Sequence, residues 1–220
     1  MKTLQTPQDS DWNRFWGRSQ SQRFSKVSWS KRRILQVLKP FCRPQDLALD
    51  AGCGSGFFTR FFCDQQMDAT AVDYSKNALQ MAAQATEQAA KLIEADMVND
   101  SLSQRLSDRF DVIFTDGLFE HFSKGQQDKI MANLISVLKP SGVIVTFVPN
   151  RWSPWELIRP FFMPGIEEKP FILQELLDLN RRNGLSILKA GGVNVFPFRF
   201  SPEFCGPVFG MLLFTVAKKV

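Results

Sequence analysis

Between Leu47 and Gly56 the chain reads Leu-Ala-Leu-Asp-Ala-Gly-Cys-Gly-Ser-Gly: an apolar run, a carboxylate at Asp50, and glycines at positions 52, 54 and 56. Alternate glycines let a backbone turn tightly off a strand and approach a ligand where any side chain would collide. A dinucleotide site spaces them G-x-G-x-x-G, so that a pyrophosphate rests on a helix N-terminus. Here the third glycine comes one residue early and Phe57 stands in its place. Asp50 would repel a pyrophosphate and attract the ammonium and sulfonium of S-adenosylmethionine. No Lys or Arg lies between Asp46 and Gly56 to offset it. Asp50, Gly52, Cys53, Gly54 and Gly56 are therefore expected to contact that cofactor. Cys53 would do so through its backbone, since the sequence places no base near its thiol.

Further carboxylates follow at strand ends. Asp73 closes the run Ala69–Val72 and lies about 20 residues beyond the glycines, where an acidic side chain accepts hydrogen bonds from ribose hydroxyls. Tyr74 beside it either packs on the adenosine or is an ordinary loop aromatic. Asp96 and Met97 follow the run Lys91–Ala95 and suit an adenine amino group and ring face, although Asp96 could equally cap the next helix. The run Phe110–Thr115 opens into Asp116-Gly117-Leu118-Phe119-Glu120-His121-Phe122. Asp116 is either a substrate-side carboxylate or a backbone contact to the cofactor. His121 is the sole histidine; its imidazole titrates near neutral pH and could act as general base, or it could simply organise the loop.

Taken as an ordered set, LDAGCGSG, VDYS, EADM, FDVIFTDGLFEHF and LKPSGVIV resemble the motifs of class I S-adenosylmethionine-dependent methyltransferases, especially the small-molecule branch that includes quinone-biosynthesis enzymes. The resemblance covers roughly residues 30 to 148. It implies an α/β, Rossmann-like, doubly wound, mostly parallel seven-stranded sheet with an antiparallel last strand, flanked by helices. In such a family an E-H pair after the fourth strand often organises its loop. The run Phe119–Phe122 also resembles that of cyclopropane fatty-acid synthases, which adds a lipid-modifying alternative. The N/D-P-P-Y/F tetrad of enzymes that methylate base amino groups is missing from Thr115–Leu118, as is a Pro-Cys nucleophile, so nucleic acid is not the expected substrate.

The elements that must position these residues alternate in kind. Ser30 is the expected N-cap of a helix with Ile34, Leu35 and Leu38 as its buried stripe, stopped by Pro40. Helices are expected over Phe57–Cys63, Lys76–Thr86, Gln126–Leu138 and Ile172–Asn183, the last capped by Gly184. Strands five, six and seven are expected at Val143–Val148, near Leu185–Leu188 and near Val208–Val216. Such alternation gives parallel strands with right-handed crossovers and gathers the ligand loops at their carboxyl ends. The expected methyltransferase domain is 30–220. It carries an aromatic, Pro-rich lid insertion at 149–170 and is preceded by a basic, aromatic lid appendage at 1–29.

A chain of 220 residues fits one well-filled domain with a modest appendage. Neither a signal peptide nor an apolar run of about 20 residues is present. The four cysteines have no C-x-x-C pairing, so neither zinc nor disulfides are expected and a cytoplasmic location is. Residues 1–43 hold ten basic side chains against Asp9 and Asp11, an excess that suits an anionic substrate or a peripheral membrane contact, or a plain solvated face. Trp12, Phe15 and Trp16 fall on one helical face. Trp16, Trp29, Trp152, Trp155 and Phe161 are the expected lid, with Phe162, Phe196 and Phe198 as further wall candidates; ordinary packing is the alternative for each. The reaction expected is methyl transfer from S-adenosylmethionine, leaving S-adenosylhomocysteine, to an O, N or C atom of a small, partly apolar acceptor. A non-catalytic binding scaffold is the alternative from another class, and a nicotinamide oxidoreductase is disfavoured by the glycine spacing. Oligomeric state is not legible.

Overall fold

Strands that are apolar on both faces must be covered on both sides, and this chain supplies the cover in strict alternation. The computed structural model describes residues 9–17, 26–157 and 168–220. In chain order the elements are α1 (Asp9–Trp16), α2 (Trp29–Leu38), β1 (Leu47–Ala51), α3 (Phe57–Asp64), β2 (Asp68–Asp73), α4 (Lys76–Ala85), β3 (Lys91–Glu94), α5 (Leu102–Arg105), β4 (Phe110–Asp116), α6 (Lys124–Ser136), β5 (Leu138–Pro149), α7 (Leu173–Arg182), β6 (Leu185–Val193), α8 (Gly206–Phe209) and β7 (Leu212–Lys219). The seven strands form one sheet in the order β3-β2-β1-β4-β5-β7-β6. Strands β3, β2, β1, β4 and β5 pair in parallel, and β7 runs antiparallel to both β5 and β6. This is the expected doubly wound sheet with a reversed last strand.

The period of two along each strand sorts the core into two layers. Ile113, Ile144, Val148 and Leu213 face Ile130, Met131 and Leu134 of α6 and Leu176 and Leu179 of α7. Their neighbours Val112, Phe114, Val145 and Phe147 face Ile34 and Leu38 of α2 and Phe58 and Phe62 of α3. On this second side Phe58, Phe114, Phe147 and Phe214 make a continuous aromatic row, with ring centroids 4.5, 6.0 and 5.5 Å apart. Each fully buried phenyl contributes about 1.5–3 kcal/mol relative to exposure. The row ties α3, which follows the glycine loop, to β4, β5 and β7.

Helix starts follow capping chemistry. Ser75 Oγ accepts the Ala78 N–H at 3.3 Å, and the Glu175 carboxylate accepts the Ile172 N–H at 3.0 Å. Three local expectations are corrected. Helix α2 is capped by Ser28, whose Oγ accepts the Lys31 N–H at 3.2 Å, and not by Ser30, whose hydroxyl instead accepts from Asn194 at 2.8 Å. The helix therefore begins inside the segment assigned to the appendage. Strand β6 runs on to Val193, where Gly192 lies directly against the backbone of Gly206. That contact holds Gly206–Phe209 as a helical turn, so β7 starts at Leu212 and not near Val208.

Gly56 has φ +71° and opens α3. A Cβ there would lie 2.8 Å from the Ala82 Cβ and closer still to its Cα, so Gly56 exists to seat α4 against the loop. Gly56→Ala is expected to destabilise folding by roughly 2–3 kcal/mol, read as a lower urea midpoint with an unchanged slope. An unchanged midpoint would mean that α4 does not rest on this residue.

Candidate active site

The strand order reverses between β1 and β4, and a doubly wound sheet opens a crevice at the carboxyl ends of the strands flanking that point. Gly52, Gly54 and Gly117 all have positive φ here. The glycine loop is tied down by Asp73, whose Oδ2 accepts the Gly54 N–H at 3.0 Å and whose Oδ1 accepts the Ser75 N–H at 2.9 Å. Beneath it the Asp50 carboxylate accepts the Thr59 hydroxyl at 2.6 Å. Sequence, strand end and loop are thus joined by two buried carboxylates.

Two adjoining cavities occupy the crevice. The smaller, about 90 Å³, lies between Asp73 and Tyr74 after β2, Ala95–Met97 after β3, and Leu118 and Phe122 after β4. Asp96 also accepts the Val98 N–H at 2.8 Å, so it shapes its turn as well as lining the cavity. The larger, about 350 Å³, extends from Asp50 and the Gly52–Ser55 backbone past Phe57, Phe58 and Lys31 to Glu120, Trp155 and Glu168. Gly52, Asp116, Gly117, His121, Trp12 and Trp16 border both. They form the partition between the two spaces.

Helix α1 roofs that partition. Asn13 accepts the Ser75 hydroxyl at 2.8 Å through its side chain and the Asn77 amide at 2.7 Å through its carbonyl. Trp16 lies so close over the loop that a Cβ on Gly54 would come within 2.6 Å of its indole. Trp12 meets the His121 ring edge-on, with centroids 4.8 Å apart.

The electrostatics are those of an acidic, largely buried site. Burial pushes the Asp50 carboxyl up to about 7, against the lowering effect of the Thr59 hydrogen bond, and the nearby Asp116 charge adds to the rise. Burial likewise raises Asp116 to about 6, opposed by Lys31. Lys31 lies 3.9 Å over the Phe57 ring, and burial lowers its ammonium to about 8 despite Asp116. Burial raises Asp73, partly offset by its backbone donors. The Cys53 thiol is held well above its ordinary value by burial and then by the Asp73 and Asp50 charges, so it stays protonated. Glu120 is fully buried and pushed well up by burial and then by Glu168; its Oε2 makes no hydrogen bond. His121 Nε2 lies 3.9 Å from Glu120 Oε1. Glu120, His121 and Glu168 can each bring one ligand atom within 4.8 Å of the others, an arrangement able to hold a proton or a small cation.

Asp50, Gly52, Cys53, Gly54, Asp73, Tyr74, Asp96, Met97, Asp116, His121, Trp16 and Trp155 all line one or both cavities. Gly56 does not; it faces α4. Trp29 and Trp152 are 42% and 64% exposed and border neither space, because each projects from its element toward solvent. Phe196 and Phe198 likewise point outward. Phe161 and Phe162 lie outside the described residues. Lys31 and Glu168 were not singled out by sequence, and Glu120 only as the partner of His121 in an E-H pair. Glu120 sits in the same run as His121, but nothing in the spacing of Lys31 or Glu168 marks either one.

Residues 48–142 match the family model described as a methyltransferase domain. The whole fold is similar to the N-methyltransferase NodS of Bradyrhizobium japonicum in complex with S-adenosylhomocysteine: TM-score 0.70, 15% identity, 96% of this chain and 97% of that one. It is similar to magnesium protoporphyrin IX methyltransferase of Synechocystis with bound S-adenosylhomocysteine: TM-score 0.63, 14% identity, 95% and 92%. It is also similar to a methyltransferase dependent on S-adenosylmethionine from Archaeoglobus fulgidus: TM-score 0.70, 19% identity, 90% and 97%. No curated protein sequence matches the chain. The glycine crevice lies within the stretch that matches the methyltransferase-domain model, and the fold is the one seen in these methyltransferases with bound S-adenosylhomocysteine.

The raised carboxyls set a pH dependence. Asp50 and Asp116 are partly protonated near neutrality, and a sulfonium favours their ionised forms, so its binding releases protons. Affinity for S-adenosylmethionine should therefore rise as pH increases through about 6 to 7, and more steeply than affinity for the uncharged thioether S-adenosylhomocysteine. Parallel pH profiles for the two ligands in calorimetric titrations would show that neither carboxyl senses the sulfonium.

Proposed function

We propose that this enzyme transfers the methyl group of S-adenosylmethionine to an O, N or C atom of a small, partly apolar acceptor seated in the larger cavity. The observation that carries this reading is the pair of adjoining cavities divided by Asp116, His121 and Trp12. The smaller fits an adenosine: Asp73 retains acceptor capacity for ribose hydroxyls beyond its two backbone donors, Tyr74 and Met97 flank the ring, and Asp96 meets the amino group. Asp50, Asp116 and the Gly52–Gly54 backbone receive the methionine end. The absence of a Cβ at Gly54 supports that fit, since the space above it is already bounded by the Trp16 indole. The bound cofactor supplies a methyl group on a sulfonium, a leaving group that needs no further activation.

What remains for the chain is to align the acceptor, exclude water and remove a proton. Trp12, Phe15, Phe57, Phe58 and Trp155 give apolar walls around the larger cavity. His121 and Asp116 stand at its junction with the smaller one, and His121 is the proposed general base, its imidazole taking the proton that the acceptor loses as the methyl group is transferred. Two comparison proteins carry different acceptors in their descriptions, a magnesium porphyrin and, for MtfA, a glycopeptide. The quinone-like branch is one small-acceptor class to test alongside phenols and amines. A cytoplasmic location is proposed on the same footing; among the described residues no helix is long and apolar enough to cross a membrane.

The test is transfer of labelled methyl from S-adenosylmethionine to a panel of hydroquinones, phenols and aromatic amines. Once an acceptor is found, His121→Gln should lower turnover about 100-fold while leaving S-adenosylhomocysteine affinity within twofold. Trp155→Ala should raise the acceptor KM about tenfold through lost wall contact. Tight S-adenosylhomocysteine binding without transfer to any acceptor would favour the non-catalytic scaffold.

A further inference from the structure

Twelve large apolar side chains are exposed among the described residues, and six of them fall between Phe196 and Phe209. Scattered singly they would need no explanation; gathered on one connection they form a patch. Phe198, Phe200 and Phe204 are 67, 81 and 87% exposed. Trp29, 42% exposed, lies one helical turn before Arg33, the residue that anchors this connection.

The anchoring is what makes the patch a built surface. Arg33 is buried and donates to the carbonyls of Phe196, at 3.0 Å, and of Phe198, and to Asn194 Oδ1 at 3.1 Å. Its Nε pairs with Glu203 at 3.0 Å. Glu203 in turn accepts the Asn194 N–H at 2.9 Å, and Ser201 Oγ accepts the Phe196 N–H at 3.0 Å. Backbone polar groups are thus satisfied inward while the phenyl rings are held outward, at a hydrophobic cost that the chain itself does not recover.

We propose that this face docks on an anionic phospholipid membrane surface, with the phenyl rings of Phe196, Phe198, Phe200 and Phe204 entering the interface. The charge around it is complementary. Arg199 stands among the phenylalanines, Glu203, the one acidic residue between 179 and 220, is held by Arg33, and residues 26–43, which include the anchoring helix, carry six basic side chains and no acidic one. A second copy packed on the same face about a twofold axis would bring these like charges together. Aromatic rings with basic residues are the pairing that holds a protein in the headgroup region, and each cation near the surface is worth roughly fivefold in partitioning. The face also adjoins the larger cavity: Ser28, Ser30 and Lys31 at the start of α2, and Met211 and Leu212 just beyond the patch, line it. Docking would bring that cavity close to the lipid, whatever the acceptor.

The experiment is co-sedimentation of the full chain with vesicles of phosphatidylcholine containing roughly 30 mol % phosphatidylglycerol, and with phosphatidylcholine alone. Binding to the anionic vesicles, weakened by salt and at least tenfold weaker to neutral ones, is expected. Phe198→Ser with Phe200→Ser should reduce it at least tenfold and Arg199→Glu several-fold, with S-adenosylhomocysteine affinity unchanged as the measure of folding. In the unmodified protein, brominated phosphatidylglycerol should quench tryptophan fluorescence, and Trp29→Phe should remove part of that quenching, a readout that does not depend on the serine variants folding. No binding, equal binding to both vesicles, or serine variants that retain S-adenosylhomocysteine affinity and still bind fully would overturn the proposal. So would a dimer in light scattering that the serine variants dissolve, which would assign the patch to a second copy.

Discussion

One buried carboxylate holds the site together. Asp73 takes the Gly54 N–H on one oxygen and the Ser75 N–H on the other, so a single side chain fixes the middle of the glycine loop and the entry to α4. The rest of the crevice is arranged about that junction. Ser75 then caps α4 and its hydroxyl reaches Asn13 of α1, which carries the constraint from the sheet edge to the roof. A charged acceptor with two backbone donors is among the stronger hydrogen-bonding arrangements in a protein, and its burial makes the geometry hard to vary. The cavities inherit their shape from it.

The acidic character of the crevice and its burial belong to the same design. Burial raises both Asp50 and Asp116, and the Asp116 charge raises Asp50 further. Holding such groups without a positive ligand is unfavourable, which weakens the empty protein and strengthens its grip on a cation. Lys31 moderates the effect: its ammonium opposes the rise at Asp116 while its own charge is disfavoured by burial.

The sheet was legible because its signals are local. Apolar runs ending in Asp50, Asp73, Asp96 and Asp116 each announced a strand and its ligand-facing tip, and the structure places all four at the crevice. Gly56 shows where this reading stopped short. Three alternate glycines look alike in sequence, yet the third answers to Ala82 of α4, a contact 26 residues away that no spacing reveals. Trp29 and Trp152 were grouped with Trp16 and Trp155 by residue type, but which side of an element a ring leaves depends on packing. Glu168 and Lys31 join the site only through tertiary contacts, and the helical turn at Gly206 is set by a glycine pair from separate elements. The capping of α2 by Ser28 in place of Ser30 is a two-residue choice between equivalent serines, settled by Asn194 claiming the second.

Helix α1 has eight residues and is held at its described end by Asn13 and a few rings. So short a helix has little stability of its own and depends on what it covers. Trp12 and Trp16 border both cavities, so a ligand that fills either one packs against these two indoles. Occupancy of the crevice and folding of α1 are then linked equilibria: each ligand that packs under the helix makes it more persistent, and the same persistence slows the ligand's departure. Ligand residence and release would then both answer to the same pair of indoles, and small changes in α1 would move the two together.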